Sequence, residues 1–374
     1  MSGFARTDTS VLGRWWWTVD RWTLVAIFAL MGFGAILMLA ASPAAGQRIG
    51  LDAFHLASRQ LVILPIAAIL VIAVSLVSPR WIRRLAIIGL LCTLLLMVLT
   101  LLLGPEVKGA TRWLPVLGFT LQPSEFVKPL FAVVAAWMFA MEKTDESLPG
   151  GRIATGLWLL VVALLLLQPD VGQAMLVTAI WGAQFFLAGL PLYWVALLAL
   201  LPVAGLAAAY FLLPHVTARI NSFLDPAAGD HYQIGRSIEA FMNGGLFGRG
   251  PGEGTVKAQL PDAHSDFIFA VAGEELGLIA CLLIVGLFAF VVLRGFSRLM
   301  EENNLFILLA VAGLLVQFGL QALINMASAL HLMPTKGMTL PLISYGGSSL
   351  LALGISLGMI LSLTRRRAGY EGST

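Results

Sequence analysis

The stretch "DFIFAVAGEELGLIACLLIVGLFAFVVL" (266–293) contains three acids, Asp266, Glu274 and Glu275, and no other charge. Its length and apolarity suit a helix that crosses a bilayer. An ionised carboxylate near the middle of such a helix costs about 2.5–3.5 kcal/mol on insertion scales. The fold and the chemistry both turn on why this run keeps its acids.

The rest of the chain agrees with a membrane setting. Of 374 residues, 59% are apolar and only 11% are charged, against about 25% charged in soluble domains. Too little polar surface is present to cover a water-soluble body of this size. A net charge of +3 leaves no nucleic-acid footprint. Cys92 and Cys281 sit inside apolar runs, so neither a disulfide framework nor a Cys/His metal pattern is indicated. The basic start followed by "AASPAAG" (40–46) imitates a cleavable signal, but the apolar segment before it suits a retained span. "WWW" (15–17) and Trp22 fit an aromatic belt beside that span.

Apolar stretches predict an all-α integral membrane protein of about ten transmembrane helices. They fall near 23–42, 61–78, 85–103, 123–141, 153–169, 172–190, 192–213, 266–293, 304–330 and 341–363. With the N-terminus inside, thirteen Lys and Arg fall on inner segments and five on short outer loops, which places both termini in the cytoplasm. The expected domains are an N-terminal cytoplasmic segment (1–22), a ten-helix membrane domain (23–364) and a C-terminal tail (365–374). Two outer segments stand out. Residues 104–126 read as lying in the interface. Residues 214–265 form a long extracytoplasmic loop between helices 7 and 8, crowded with glycine from 244 to 254; such length usually means function.

The polar residues leave two readings open. If 266–283 is helical, Asp266 heads a face of small residues, Ala270, Gly273 and Gly277. That face is either a cavity wall with an acid at its mouth or a close-packing stripe with a carboxylate at the favourable end of the helix dipole. Glu274 and Glu275 point to different sides, each to a functional site or to a structural partner. In "QPSEFVKP" (122–129), Glu125 and Lys128 can pair at i,i+3. Ser124 and Glu125 can also cap the helix, or Lys128 can face a polar cavity. Asp170 in "QPDVG" (168–172) reads as a turn or N-cap residue. Arg219, Arg236, Arg249 and Lys257, with Lys108, Arg112 and Lys336, are either a solvated scatter or a cradle for a phosphate-bearing lipid headgroup. "PLISYGGSS" (341–349) is polar and flexible for the start of a span. Without a Walker loop, a GxGxxG after a strand, an HExxH or a Ser-His-Asp set, nucleotide-driven transport and zinc hydrolysis lose support.

Six segments in order, "KGATRWL", "QPSEFVK", "QPDVGQA", "NGGLFGRGPGEG", "LPDAHSDFIFAVAGEELG" and "PTKGMTLPLISYGGSSLL", resemble the signatures of the SEDS family: shape, elongation, division and sporulation proteins. The last looks more like the division member than its elongation paralogue. The resemblance implies a peptidoglycan glycosyltransferase that polymerises lipid II on the outer face of the cytoplasmic membrane, at the septum. It implies Asp266 as the catalytic acidic residue. It also implies work beside a class B penicillin-binding protein (an FtsI-like transpeptidase) and other divisome proteins. On that basis Asp266 takes the proton of the acceptor 4-hydroxyl in an inverting transfer. Arg219, Lys257, Lys128 and Lys336, with Glu125, become candidates for binding the substrate and its undecaprenyl diphosphate leaving group. No tightly bound cofactor is expected; a divalent cation, Mg or Mn, could share the neutralisation. Lipid II flipping and elongation-type polymerisation are the alternatives. A non-enzymatic scaffold that recruits a transpeptidase is a third.

Overall fold

The computed structural model describes residues 10–365 except 108, 117–118, 146, 190–199, 201–203, 206, 209, 213, 215, 218–220, 222–230 and 335–336. Eleven α-helices run through the described residues. They are α1 (Val11–Thr18), α2 (Arg21–Arg48), α3 (His55–Leu76), α4 (Pro79–Leu103), α5 (Pro123–Thr144), α6 (Gly150–Leu167), α7 (Val171–Leu187), α8 (His231–Gly244), α9 (Ile268–Leu299), α10 (Leu305–Ala329) and α11 (Gly347–Leu363). Seven of them, α2 to α6, α9 and α10, are long and apolar enough to cross a membrane, and α7 and α11 are shorter apolar helices. The chain is thus a multi-pass membrane protein. The expected span at 192–213 lies for the most part outside the described residues.

Helix α4 shows how the sequence selects its solvent. Leu85, Ile88, Leu91, Leu95, Val98 and Leu102 are exposed, while Ile82, Ala86, Leu90, Thr93 and Met97 are buried. Both sets recur at steps of three and four, so one face meets lipid and the other meets the bundle. The centre is held by α5 and α10, which pack on each other. Helix α5 also touches α4, α6, α7 and α11. About two-thirds of the apolar window of α5 is buried (67%), against 22% for the peripheral α3.

Several expectations need correction. Residues 114–121 contain a small antiparallel β-pair, β1 (Leu114–Val116) with β2 (Phe119–Leu121), in the register Leu114↔Leu121. Trp15 is buried, whereas Trp17 is exposed. The Trp15 indole donates to Ser75 Oγ at 2.8 Å, so the tryptophan triplet docks α1 as well as facing outward. The last span starts at Gly347, not 341. Pro341 lacks a donor and Leu342 is left-handed (φ 65), so residues 338–346 cross the end of the bundle as a turn-rich strap.

Helix α9 starts two residues after Asp266 and is interrupted at Gly277 (φ 78, ψ −179). The backbone groups freed by that break are taken up by the glycine-rich loop. Leu278 N donates to Gly245 O (2.9 Å) and Ile279 N to Leu246 O (3.2 Å); in return Arg249 N and Gly250 N donate to Glu274 O and Glu275 O, each at 3.0 Å. A broken helix persists at membrane depth only where other protein satisfies its backbone. A Cβ on Gly277 would stand 2.3 Å from Gly248 N, and one on Gly244 would stand 1.9 Å from Gly273 O. The small-residue face is therefore a packing surface for α8 and its loop, and the cavity-wall reading of Gly273 and Gly277 does not hold.

At the end of the bundle away from these loops, Asp20 caps α2, accepting from Trp22 N at 3.2 Å. It also pairs with Arg294 (2.6 Å) and Arg298 (3.3 Å). This joins the start of α2 to the last turns of α9.

Candidate active site

Glu274 and Glu275 are fully buried and do not diverge: both carboxylates are gripped by one segment, 252–257. Glu274 Oε1 accepts from Thr255 N and Val256 N, both at 2.8 Å, and Oε2 accepts from Lys257 N at 3.0 Å. Asn243 Nδ2 adds a bond at 3.3 Å. Glu275 Oε2 accepts from Gly252 N at 3.1 Å, and Oε1 accepts from Lys257 Nζ. The ammonium of Lys257 also donates to Gly252 O at 3.0 Å. Lys257, expected to face a diphosphate, is instead buried against Glu275. A buried ion pair needs both partners, so this cation anchors the loop.

Asp266 is set in a different environment. Residues 261–267 form successive turns rather than helix, and Asp266 is half-buried. Its place follows from Asp262, left-handed at φ 51, whose carbonyl accepts from Ser265 N (3.0 Å), Asp266 N (3.1 Å) and Phe267 N (3.3 Å). Asp266 therefore does not share a helical face with Ala270. Its Oδ2 lies 3.9 Å from where a Cβ on Gly337 would stand, so the carboxylate borders the residue that leads into the strap.

The strap and α10 hold the turn by its backbone. Ser344 Oγ donates to Ser265 O at 2.6 Å, and Tyr345 N donates to His264 O at 2.8 Å. Asn325 Nδ2 donates to Asp266 O at 3.1 Å and to Met338 O at 2.7 Å.

One turn along α10, Gln321 joins this region to the expected Glu125–Lys128 pair. Gln321 Nε2 donates to Thr339 O (3.1 Å) and Thr339 Oγ1 (3.3 Å), while its Oε1 accepts from Lys128 Nζ at 3.1 Å. Lys128, fully buried, also donates to Glu125 Oε2 at 2.9 Å. Glu125 Oε1 accepts from Gln173 Nε2 at 2.6 Å. No side chain caps α5, so Glu125 serves the pair and not the helix end. Asp170 does cap α7, accepting from Gln173 N at 3.3 Å, and lies 3.7 Å from Arg112 Nε. Arg112 donates to the carbonyls of Gln168 and Pro169, tying the 110–121 segment to the α6–α7 turn. A continuous polar chain thus runs from Arg112 through Asp170, Gln173, Glu125, Lys128 and Gln321 to Thr339.

Arg219, Lys336 and Lys108 lie outside the described residues. No group of three or more His, Cys, Asp and Glu that could hold a metal ion occurs among the described residues. Sequence reasoning missed Gln321, Asn325 and Gln173. Two amides at i,i+4 in an otherwise apolar span were the available signal for the first two, since unpaired amides are costly in hydrocarbon.

An apolar cavity of about 470 Å³ opens between α3, α4, α5 and α11. Val77 and Ile82 line it at one end and Leu121 and Pro123 at the other, with Gly89, Thr93 and Met359 also in its wall. Its Pro123 end lies two residues from Glu125.

A "Probable peptidoglycan glycosyltransferase FtsW" of Caulobacter vibrioides is 51% identical over 372 residues, covering 99% of this chain and 95% of the relative. Its Escherichia coli O6:H1 counterpart is 35% identical over 359 residues, covering 92% and 85%. Among solved structures, a chain of a peptidoglycan synthase complex coordinating polymerization and crosslinking aligns with a TM-score of 0.74 at 29% identity, covering 92% and 97%. The rod shape determining protein RodA of Thermus thermophilus aligns with a TM-score of 0.65 at 27% identity, covering 94% and 99%. Residues 21–369 match the cell cycle protein family of FtsW, RodA and SpoVE, and the chain belongs to that family.

Proposed function

We propose that this protein is a peptidoglycan glycosyltransferase of the FtsW type, polymerising lipid II at the division septum. The observation that carries the proposal is a half-buried carboxylate, Asp266, on a turn whose backbone is clamped by Asn325 and Ser344 at the loop-rich end of the bundle. Relatives named for this activity match over nearly the whole chain. The opposite end carries Arg80, Arg83, Arg84, Arg294, Arg298 and Arg365. Under the positive-inside rule that end is cytoplasmic and the Asp266 end faces outward. The proposal keeps one membrane domain (23–364) of ten spans between a segment at 1–22 and a tail at 365–374.

In the proposed reaction the 4-hydroxyl of a lipid-linked GlcNAc attacks the anomeric carbon of MurNAc on the growing lipid-linked chain. The bond to undecaprenyl diphosphate breaks with inversion. The hydroxyl proton passes to Asp266, a general-base contribution of roughly 10²- to 10⁴-fold. The diphosphate leaves as an anion and needs cations more than a proton. Arg219 and Lys336 are assigned that role; Lys128, fully buried on Glu125 and Gln321, shares it only where substrate takes the place of one of those partners, since a buried ion pair otherwise serves structure as at Lys257. Mg or Mn bound through diphosphate oxygens could add to it. The apolar cavity between α3, α4, α5 and α11 suits a polyprenyl tail, since its wall is almost wholly aliphatic and aromatic. A class B penicillin-binding protein would crosslink the emerging strand, and other divisome proteins would place the pair at the septum.

The test is gel analysis of glycan strands made from labelled lipid II by the purified protein with its transpeptidase. Asp266→Asn is expected to lower polymerisation at least ~10²-fold while leaving the complex folded. Full activity in that variant would remove Asp266 from the mechanism. A flipping assay in sealed vesicles, run beside it, separates polymerase from flippase.

A further inference from the structure

We propose that Asn325 and Gln321 are positioning residues for the transfer: a pair of amides, one turn apart on α10, that sets the distance between the Asp266 turn and the Glu125–Lys128 pair. This rests on the reading of Asp266 as the base.

Hydrogen-bond chemistry fixes both amide orientations. Lys128 Nζ can only donate, so the atom facing it at 3.1 Å must be Gln321 Oε1, which turns Nε2 toward Thr339 O and Oγ1. The two atoms facing Asn325 Nδ2 are carbonyl oxygens, of Asp266 at 3.1 Å and Met338 at 2.7 Å. Carbonyls only accept, so the nitrogen must point at them. Both side chains are buried, at 2% and 1% exposure, where a misplaced amide has no water to turn to. Consecutive strap residues, Met338 and Thr339, are therefore pinned to consecutive turns of α10. The Asp266 carbonyl hangs from the same donor as Met338.

Asn325 contributes to Asp266 through the backbone carbonyl alone, so its task is placement rather than proton transfer. The far side of the turn is held by Ser344 on Ser265 O, which leaves the turn clamped between α10 and the strap. Transfer reactions are sensitive to such placement: a shift of about 1 Å can cost on the order of 10²-fold.

The experiment uses the full-length protein in complex with its transpeptidase, with labelled lipid II and initial rates over a concentration series. Asn325→Leu keeps the branched outline with somewhat bulkier ends and removes the donor. It is expected to lower kcat about 10- to 100-fold with KM changed less than about twofold, at a folded fraction, read by size-exclusion fluorescence, equal to wild type. Asn325→Gln restores a donor and should recover part of the loss; Gln321→Leu should show the same pattern at smaller size. In an Asp266→Glu background, Asn325→Leu should cost clearly less than it does in wild type, because the two act on one geometry. Unchanged kcat in folded Asn325→Leu, or a loss that multiplies in full with Asp266→Glu, overturns the inference. So does a rate loss explained wholly by the folded fraction. Should Asn325→Leu not fold, Asn325→Ala removes the donor without added bulk and carries the same comparison. Activity in Asp266→Asn is the separate result that would instead overturn the underlying assignment of the base.

Discussion

Asp266 and the Glu274–Glu275 pair lie eight residues apart in one stretch, yet the structure treats them in opposite ways. Glu274 is fully buried and accepts three backbone N–H groups within 3.0 Å. Glu275 is buried against Lys257. These acids close a helix break and hold a glycine loop in place. Asp266 sits outside the helix, half-buried, on a turn gripped by its backbone. The difference teaches that an acid in a membrane run has two routes to tolerance. One is full compensation by fixed donors, which gives structure; the other is a half-buried position on a turn outside the helix, which suits chemistry.

The sharpest way to break the comparison is to exchange its outcomes. Asp266→Asn should lower the rate by two orders of magnitude or more with little change in melting temperature. Glu274→Ala should do the reverse of this at first sight, melting the protein early. It strands three backbone donors at about 1–3 kcal/mol each, so a loss on the order of 3 kcal/mol or more is expected in thermal unfolding. A Glu274→Ala protein with wild-type melting would show that the loop is not held by that carboxylate.

Next in size is Glu125→Ala. It leaves Lys128 buried without its counter-charge, which typically costs about 3–5 kcal/mol. Glu125→Gln keeps one acceptor oxygen, for Lys128, and turns an NH2 toward Gln173, whose own amide can rotate to present its oxygen; it should cost less. Equal melting of the two variants would mean that charge contributes nothing beyond hydrogen bonding.

The smallest effect is expected at the opposite end. Burial pushes the Asp20 carboxyl up, but the Arg294 hydrogen bond and the charges of Arg298 and Arg294 outweigh it and hold the group below its ordinary value of 3.8. A carboxyl held low in the folded protein stabilises it above the unfolded value and loses that contribution as pH falls through the folded one. Melting scans from neutral to about pH 3 should show acid loss that Asp20→Asn abolishes, at a cost near 1 kcal/mol at neutral pH. An unchanged acid profile in the variant would assign the loss to other carboxylates.

Much of this was legible in the residues. The lipid-facing stripe of α4, Leu85 to Leu102, follows from its three-four spacing, and Asp170 caps α7 as its turn sequence suggests. The Glu125–Lys128 pair also follows from its spacing. Less legible was anything that depends on a partner far along the chain. Nothing near Gly277 announces that residues 245–250 will fill the break it makes, because both halves of the run read as one apolar helix. Lys257 looked like a loop cation because its counter-charge, Glu275, is eighteen residues away. The start of α11 shifted by six residues because the strap 338–346 finds its bonds on Ser344, Gln321 and Asn325 rather than in a helix.

By itself the sequence determined the solvent of this protein, the membrane-crossing character of its helices and the residues available for chemistry, since period and composition act locally through the cost of exposing each side chain. Only the tertiary structure decided which charges are struts and which border the residue that leads into the strap. Contacts such as Gln60 Nε2 on Ser344 O at 3.1 Å, 284 residues apart, arise when whole helices pack, and the fate of a buried charge depends on the donors that packing brings to it.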